Sequence, residues 1–389
     1  MPDATFDVIV VGGGSVGVPS AYYLARRGLS VLVLERFPAV GQGQNKAAIG
    51  GIRATHSDPA KIVLCQRSLA EMATWKERTG VDVGWKPGGY AYPVYDEPLE
   101  QKLRGLFPIQ HKWALEIGWL DADAMAELIP GIERRGLRGG TYSPNDGQLS
   151  PLKCPAAFQR AAQGLGAEFR FGERVVGYRV EGGRVRGVRT DKGEYAAGAV
   201  VVATGAEAAD DGRMLGIDVP VTPDSHEAGI TAPVAQFLRP LVVDMRPGPE
   251  GRTANFYFGQ TDEGQIIFCY TPRELFFGKN RESTSEFLPI LAARMITLIP
   301  RMRHLLVRRV WRGLYPMTPD ESPIVDRVAG IEGLALAVGM CGQGFMLGPG
   351  VGQEVASLVA DGKSSLPAEA RDRVRFDRDF AKAGAEALK

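Results

Sequence analysis

The run Val8-Ile9-Val10-Val11-Gly12-Gly13-Gly14-Ser15-Val16-Gly17 decides the fold. Four apolar residues give way to glycines in the spacing G-x-G-x-x-G, at Gly12, Gly14 and Gly17. A helical pattern follows over 15–27. A second apolar run, Val31-Leu32-Val33-Leu34, ends on Glu35. Strand, glycine turn, helix, strand and acid in this order make the βαβ unit that binds a dinucleotide. Gly12 permits a tight turn, Gly14 lets main chain approach a pyrophosphate, and Gly17 lets the helix pack on the strand. The helix start supplies unpaired N–H groups and a partial positive charge for that pyrophosphate. Glu35 stands where a carboxylate accepts hydrogen bonds from ribose hydroxyls. The unit alone does not separate NAD from FAD.

Composition narrows the class. With 389 residues the chain is long for one domain and suits two. Hydrophobic residues make up 44% and charged residues 23%, enough to bury a large core. A net charge of +1 argues against nucleic acid as a partner. Cys65, Cys154, Cys269 and Cys341 are scattered without C-x-x-C, and the four histidines are equally dispersed, so neither a disulfide frame nor a metal site is expected. No apolar run reaches membrane-spanning length. The first strand begins near Phe6, which leaves no room for a signal peptide, and the cytoplasm is the expected location.

Periodicity organises the rest. A helix is expected over 60–79, a strand over 88–94 and one amphipathic helix over 97–117. Asp121 caps a short helix that Pro130 ends, and Ser150-Pro151 opens another. Strands over 174–180 and 184–190 form a hairpin at Gly182-Gly183. A buried strand over 199–205 ends in small residues, with Thr204 and Gly205 against a ligand. From 219 to 270 strands dominate without helical crossovers, which predicts an antiparallel sheet. Ser283 and Glu286 read as a capping box for a helix ending near Leu298. A strand over 334–338, a glycine-rich stretch over 339–352 and a helix over 351–360 close the pattern. The fold class is α/β plus α+β. The expected division is a nucleotide domain from 1–85, 145–218 and 325–389, and a substrate domain from 86–144 and 219–324.

Four segments resemble the D-amino-acid-oxidase-like flavoproteins, the glycine and sarcosine oxidase type. They are Val10 to Gly17 with Glu35-Arg36; Gly51-Ile52-Arg53; Trp311-Arg312-Gly313-Leu314-Tyr315-Pro316-Met317-Thr318-Pro319-Asp320; and Gly339-Met340-Cys341-Gly342-Gln343-Gly344-Phe345-Met346. The third is most similar to the β subunits of sarcosine oxidase and dye-linked proline dehydrogenase, and the stretch from His226 to Pro233 fits that branch. The resemblance implies a Rossmann-type, glutathione-reductase-like FAD-binding domain with an inserted mixed or antiparallel sheet for the substrate. It implies FAD held by Gly12, Gly14, Ser15, Val16, Gly17, Glu35, Arg36, Lys46, Val175, Thr204, Gly205, Gly342, Gly344, Phe345 and Met346.

The chemistry implied is oxidation of a C–N bond beside a carboxylate, with the imine later hydrolysed. Arg53 is the expected carboxylate clamp, because its planar fork grips two oxygens at once. From its loop alone it reads as a surface arginine, and the resemblance turns the reading to the clamp. Tyr315 is either a pocket wall or a packed core tyrosine, and Tyr257 either faces the substrate or simply alternates along a strand. Lys46 either stabilises reduced flavin or is a solvated loop lysine. His56 is read as structural, not as a base.

Departures from the family pattern sharpen this. Gly313 replaces the cysteine that tethers FAD in monomeric sarcosine oxidase, so non-covalent FAD is expected. Met346 replaces a lysine, which leaves the clamp one charge short. The oxygen-activating lysine has no counterpart, Phe268 being nearest, which favours a dehydrogenase. The segment 147–154 lacks the histidine that tethers a second flavin. The substrate class is sarcosine, proline, glycine or an N-methyl amino acid. The acceptor is O2, a dye, a quinone or a partner flavoprotein. A subunit active only in a hetero-oligomer and a nicotinamide-linked dehydrogenase are the alternatives; a non-enzymatic FAD-binding protein fits least.

Overall fold

The computed structural model describes residues 5–248, 251–382 and 386–388. Thr5–Val11 lies at the centre of the first sheet, parallel to Val31–Glu35 on one side and to Glu194–Val202 on the other. Glu168–Phe171 extends the parallel set past Val31–Glu35. The second half of Glu194–Val202 pairs in parallel with Leu334–Val338, and its first half takes the antiparallel hairpin Val175–Glu181 and Arg184–Thr190. The apolar runs serve two cores at once. Val8, Val10, Val31 and Val33 enter one, while Ile9, Val11, Leu32 and Leu34 enter the other. Such two-faced burial is what a continuous apolar strand in a parallel sheet requires.

One face carries the helices Gly17–Ala25, Pro59–Thr79, Lys153–Gly164 and Gly344–Ala360. The long helix starts where the Asp58 side chain accepts from the N–H groups of Ala60 and Lys61, with Pro59 at its first position. It ends at Gly80, in the left-handed region at φ 71°. Tyr22, Trp75 and Phe158 interlock here, with the Trp75 and Phe158 rings 4.3 Å apart.

The second sheet runs in the order Val307–Met317, Thr222–Pro233, Gln265–Pro272, Thr253–Gln260, Leu241–Asp244, Tyr90–Val94, Gly139–Ser143, Gly118–Leu120. It is mixed, because Leu241–Asp244 pairs in parallel with Tyr90–Val94. Its outer face packs Phe256, Phe258 and Phe268 against the helix Phe287–Leu298. Among the described residues no helix is long and apolar enough to cross a membrane.

Four local expectations are corrected. The single helix over 97–117 is two, Glu97–Arg104 and Phe107–Lys112, followed by the strand Gly118–Leu120. Pro108 has no N–H to continue the first helix. The capping box at Ser283 and Glu286 does not form. Thr284 donates its N–H and hydroxyl to the Glu227 carboxylate, at 2.7 and 2.6 Å, and Glu286 pairs with Arg252 instead. The strand over 199–205 stops at Val202, so Thr204 and Gly205 lie beyond the sheet. The glycine-rich stretch becomes helix from Gly344 onward. There a Cβ on Gly348 would sit 1.9 Å from the Ser15 carbonyl oxygen, and one on Gly350 would sit 2.0 Å from that of Leu64. These glycines are close-contact points between helices.

Phe158→Ala tests the helical layer. Its ring is fully buried, so equilibrium unfolding is expected to lose about 3–5 kcal/mol. A loss within the range of an ordinary surface substitution would show that the aromatic cluster does not hold the layer together.

Candidate active site

The carboxyl ends of the parallel strands face the inner side of the second sheet across a cavity of about 460 Å³. Gly12 stands at its wall with φ 106°, and a Cβ there would lie 2.6 Å from the Ala203 carbonyl oxygen. A Cβ on Gly17 would lie 1.9 Å from the Gly12 oxygen, which makes Gly17 a packing residue that does not line the cavity. A Cβ on Gly14 would meet nothing within 4 Å, since Gly14 faces the cavity. The N–H groups of Gly14, Ser15 and Val16 find no acceptor among the described residues. With the helix start behind them they form a cradle for an anion.

Glu35 is buried on the same wall. Its two carboxylate oxygens accept from the N–H groups of Gly13 at 2.7 Å and Phe37 at 2.9 Å. Each oxygen keeps further lone pairs for hydroxyl donors. Arg36 lines the cavity and pairs with Glu207 at 3.2 Å. Val175, Thr204 and Gly205 complete this end, with the Thr204 hydroxyl donating to Asp211 at 2.5 Å.

At the other end stand Gly342, Gly344 and Phe345. The motif around Trp311 ties three chain regions together here. Trp311 Nε1 donates to the Ala47 carbonyl at 2.9 Å, Leu314 N–H to the Gln44 side chain at 2.9 Å, and Cys341 N–H to the Pro316 carbonyl at 3.0 Å. Lys46 is a correction to the expectation. The short turn Asn45–Ala47 sends its neighbours to the cavity and leaves Lys46 exposed, lining neither cavity.

A smaller cavity of about 100 Å³ adjoins the first and shares Tyr257, Tyr315, His226 and Phe345 with it. Arg53 and Met346 line it. Arg53 is no surface arginine: it is 6% exposed. Its Nη1 donates to the Thr55 carbonyl and lies 3.1 Å from His56 Nδ1, and its Nη2 donates to the Leu388 carbonyl at 2.6 Å. Nε has no hydrogen-bond partner among the described residues. Nε and one Nη2 hydrogen are therefore left for an acceptor. Burial opposes the charge, but Tyr92 and Glu386 outweigh it and raise the guanidinium's pKa further.

The Tyr257 and Tyr315 hydroxyls lie 3.0 Å apart. Burial pushes both phenols far above their ordinary range, so both stay protonated and neither is a base. The Tyr315 ring stacks on His226 at 3.9 Å, and His226 Nε2 lies 3.0 Å from the Asp224 carboxylate. Burial would raise that carboxyl, yet His226 and the N–H groups of Phe276 and Ser225 hold it below the usual range.

His226, Tyr90 and Tyr92 also line the smaller cavity and were missing from the expected site. Strand alternation carries the signal. Tyr90 and Tyr92 are two apart in the sequence Tyr90-Ala91-Tyr92, and His226 is two before Ala228, another wall residue. Phe268 is the second correction. It points into the outer core, and its neighbours Cys269 and Thr271 face the site.

Comparison with known proteins agrees with this geometry. The family model of FAD dependent oxidoreductases (DAO) matches residues 7–358. The structure is similar to the crystal structure of L-proline dehydrogenase from P. horikoshii, with TM-score 0.89 and 31% identity, covering 97% of this chain and 99% of that one. It is also similar to glycine oxidase from Geobacillus kaustophilus, with TM-score 0.83 and 26% identity, covering 94% and 97%. The bifunctional protein ThiO/ThiG of Trichormus variabilis is 29% identical over 369 residues, 92% of this chain and 53% of that protein. The chain thus spans about half the length of the first curated relatives it matches. The chain belongs to the DAO family of FAD-dependent oxidoreductases.

Proposed function

We propose that this protein oxidises the C–N bond of a small amino acid of the sarcosine, proline, glycine or N-methyl class. The observation that carries the reading is the free Nε edge of a buried Arg53 on a small cavity adjoining the nucleotide cavity. A carboxylate seated there gains a bidentate, charge-assisted pair away from water. The cavity's modest size and its Tyr90, Tyr92, Val243 and Met346 walls favour a short, compact amino acid. Met346 adds no charge to the clamp, so Arg53 carries it. The hydroxyl pair of Tyr257 and Tyr315 orients the amine end by hydrogen bonding, with both protons in place. His226, held by Asp224, stacks behind Tyr315 and fixes its ring.

The cofactor cradle supports FAD with its pyrophosphate on Gly14, Ser15 and Val16, its ribose on Glu35, and its ring end beside Gly342, Gly344 and Phe345. When bound, FAD would supply the acceptor for a hydride from the carbon beside the nitrogen, and the nitrogen gives up a proton as the C=N bond forms. The imine left behind is hydrolysed by water. Non-covalent binding is favoured by Gly313 at the tether position and by Cys269, whose thiol burial pushes up to about 12. The cations lining the two cavities are Arg36, Arg174 and Arg53, and no lysine lines either among the described residues. Superoxide formation gains from a nearby positive charge, so the reading favours an acceptor other than oxygen.

Three measurements test this. Sarcosine and proline are expected to bleach the flavin anaerobically. In Arg53→Ala, with FAD retained, the half-saturating concentration should rise about a hundredfold or more. Equal bleaching of variant and wild type would remove Arg53 from the clamp. The reduced protein should reoxidise slowly in air and at once with an added dye; oxidase-like speed in stopped flow would overturn the acceptor assignment. Because both tyrosine pKa values are raised, the limiting reduction rate at saturating substrate should show no tyrosine ionisation up to about pH 10. A limb lost on Tyr257→Phe would contradict that.

A further inference from the structure

The Arg53 guanidinium is held from behind by a segment distant in sequence. Leu388 is 1% exposed and belongs to the apolar cluster of Tyr90, Tyr92 and Val243, three walls of the smaller cavity. Its carbonyl takes one Nη2 hydrogen of Arg53 at 2.6 Å. Two residues earlier, Glu386 is anchored. One carboxylate oxygen accepts from Ser57 N–H at 2.8 Å, from the Ser57 hydroxyl at 2.5 Å and from Leu388 N–H at 3.1 Å. The other lies 3.3 Å from His56 Nδ1 and 3.7 Å from Lys61 Nζ. The Ser57 hydroxyl oxygen also accepts from Ala387 N–H at 2.9 Å. All three residues of 386–388 are thus bonded to the loop that carries Arg53.

The charge pattern gives this anchor a purpose beyond packing. Lys61 and Glu386 each have side chains 1% exposed. Arg53 and Lys61 bring two buried cations to this corner. Asp146, which accepts from the Ala54 N–H and the Thr55 hydroxyl, is raised by burial to about 6. Burial also opposes ionisation of Glu386, but His56, Lys61 and Ser57 outweigh it and hold its carboxyl well below the usual range. His56 is held neutral, at about 4, by burial and by Arg53. Glu386 is therefore an anion of this corner, beside Lys61 and favouring the Arg53 charge.

We infer that residues 386–388 are a positioning element of the substrate site: they fix the Arg53 fork so that its Nε and Nη2 edge faces the smaller cavity. The inference rests on the proposed amino-acid oxidation. Without the strap the Arg53 side chain loses the carbonyl that fixes one fork nitrogen, and Lys61 becomes an uncompensated buried cation. Carboxylate affinity should fall more than the chemical step, because nothing in the strap lines the cavity.

The test uses FAD-loaded protein, in three variants: Glu386→Gln, Ser57→Ala, and deletion from Glu386 onward. In anaerobic reduction by sarcosine and proline, the half-saturating concentration is expected to rise at least about tenfold, from loss of a charge-assisted hydrogen-bond network. The limiting rate should change far less. Acetate, a carboxylate without an amine, should lose affinity in parallel when read by its perturbation of the flavin spectrum, and acetamide should not. A purely structural strap would lower the unfolding midpoint and leave acetate affinity untouched, and that result overturns the inference. If the deletion does not fold, the two point variants decide. Wild-type protein that no carboxylated amine bleaches would sink the functional reading and this inference together. Bleaching of wild type with unchanged variants sinks the strap alone.

Discussion

Everything in this structure depends on main chain approaching main chain at one place. The turn at Gly12 presses on the Ala203 carbonyl, Gly17 presses on Gly12, and Gly348 of the last long helix presses on Ser15. Each contact is closer than any Cβ allows. Together they bring the start, middle and end of the chain to a single rim. The consequence is a set of N–H groups at Gly14, Ser15 and Val16 that find no acceptor among the described residues. Donors left without a partner cost free energy, so the nucleotide completes the fold as well as equipping the site. Binding of that kind stabilises the native state by mass action.

A second constraint operates at the substrate end. A guanidinium that is 6% exposed must have most of its five hydrogens accepted. Thr55, His56 and Leu388 take one end of Arg53. The remaining edge points where an acceptor is absent from the protein itself. The same corner holds Lys61, Glu386 and Asp146, so Arg53 sits among fixed groups of both signs. Preorganisation of this sort means little rearrangement is needed on binding.

Much of this was legible in the residues, and the boundary is physical. The Val8 to Glu35 unit is local, and its strand, glycine turn, helix and strand follow in the implied order: the glycine with open space is Gly14, and the one against backbone is Gly17. Pairwise strand alternation would have found Tyr90, Tyr92 and His226, had the strands been read two residues at a time. Other features have no local signal. Gly348 and Gly350 lower helix propensity by themselves, and only the backbones of Ser15 and Leu64 explain why a helix uses them there. Glu227 draws Thr284 away from a capping box across 57 residues. Leu388 reaches Arg53 across 335 residues. Contacts of that separation leave no trace in a window of a dozen residues.

The strand Gln265–Pro272 shows how a single-residue shift changes a chemical argument. Side chains alternate between faces, so Ile266 and Phe268 join the outer aromatic core while Cys269 and Thr271 face the cavities. Equating Phe268 with a flavin-facing position placed the absence of charge on the wrong residue. Both inward residues, Cys269 and Thr271, are uncharged. The arginine side chains of the larger cavity, Arg36 and Arg174, line the same end as Glu35 and Val175. Arg53 lines the smaller cavity. Beside Tyr315 the ring of His226, held by Asp224, completes the wall that the two cavities share.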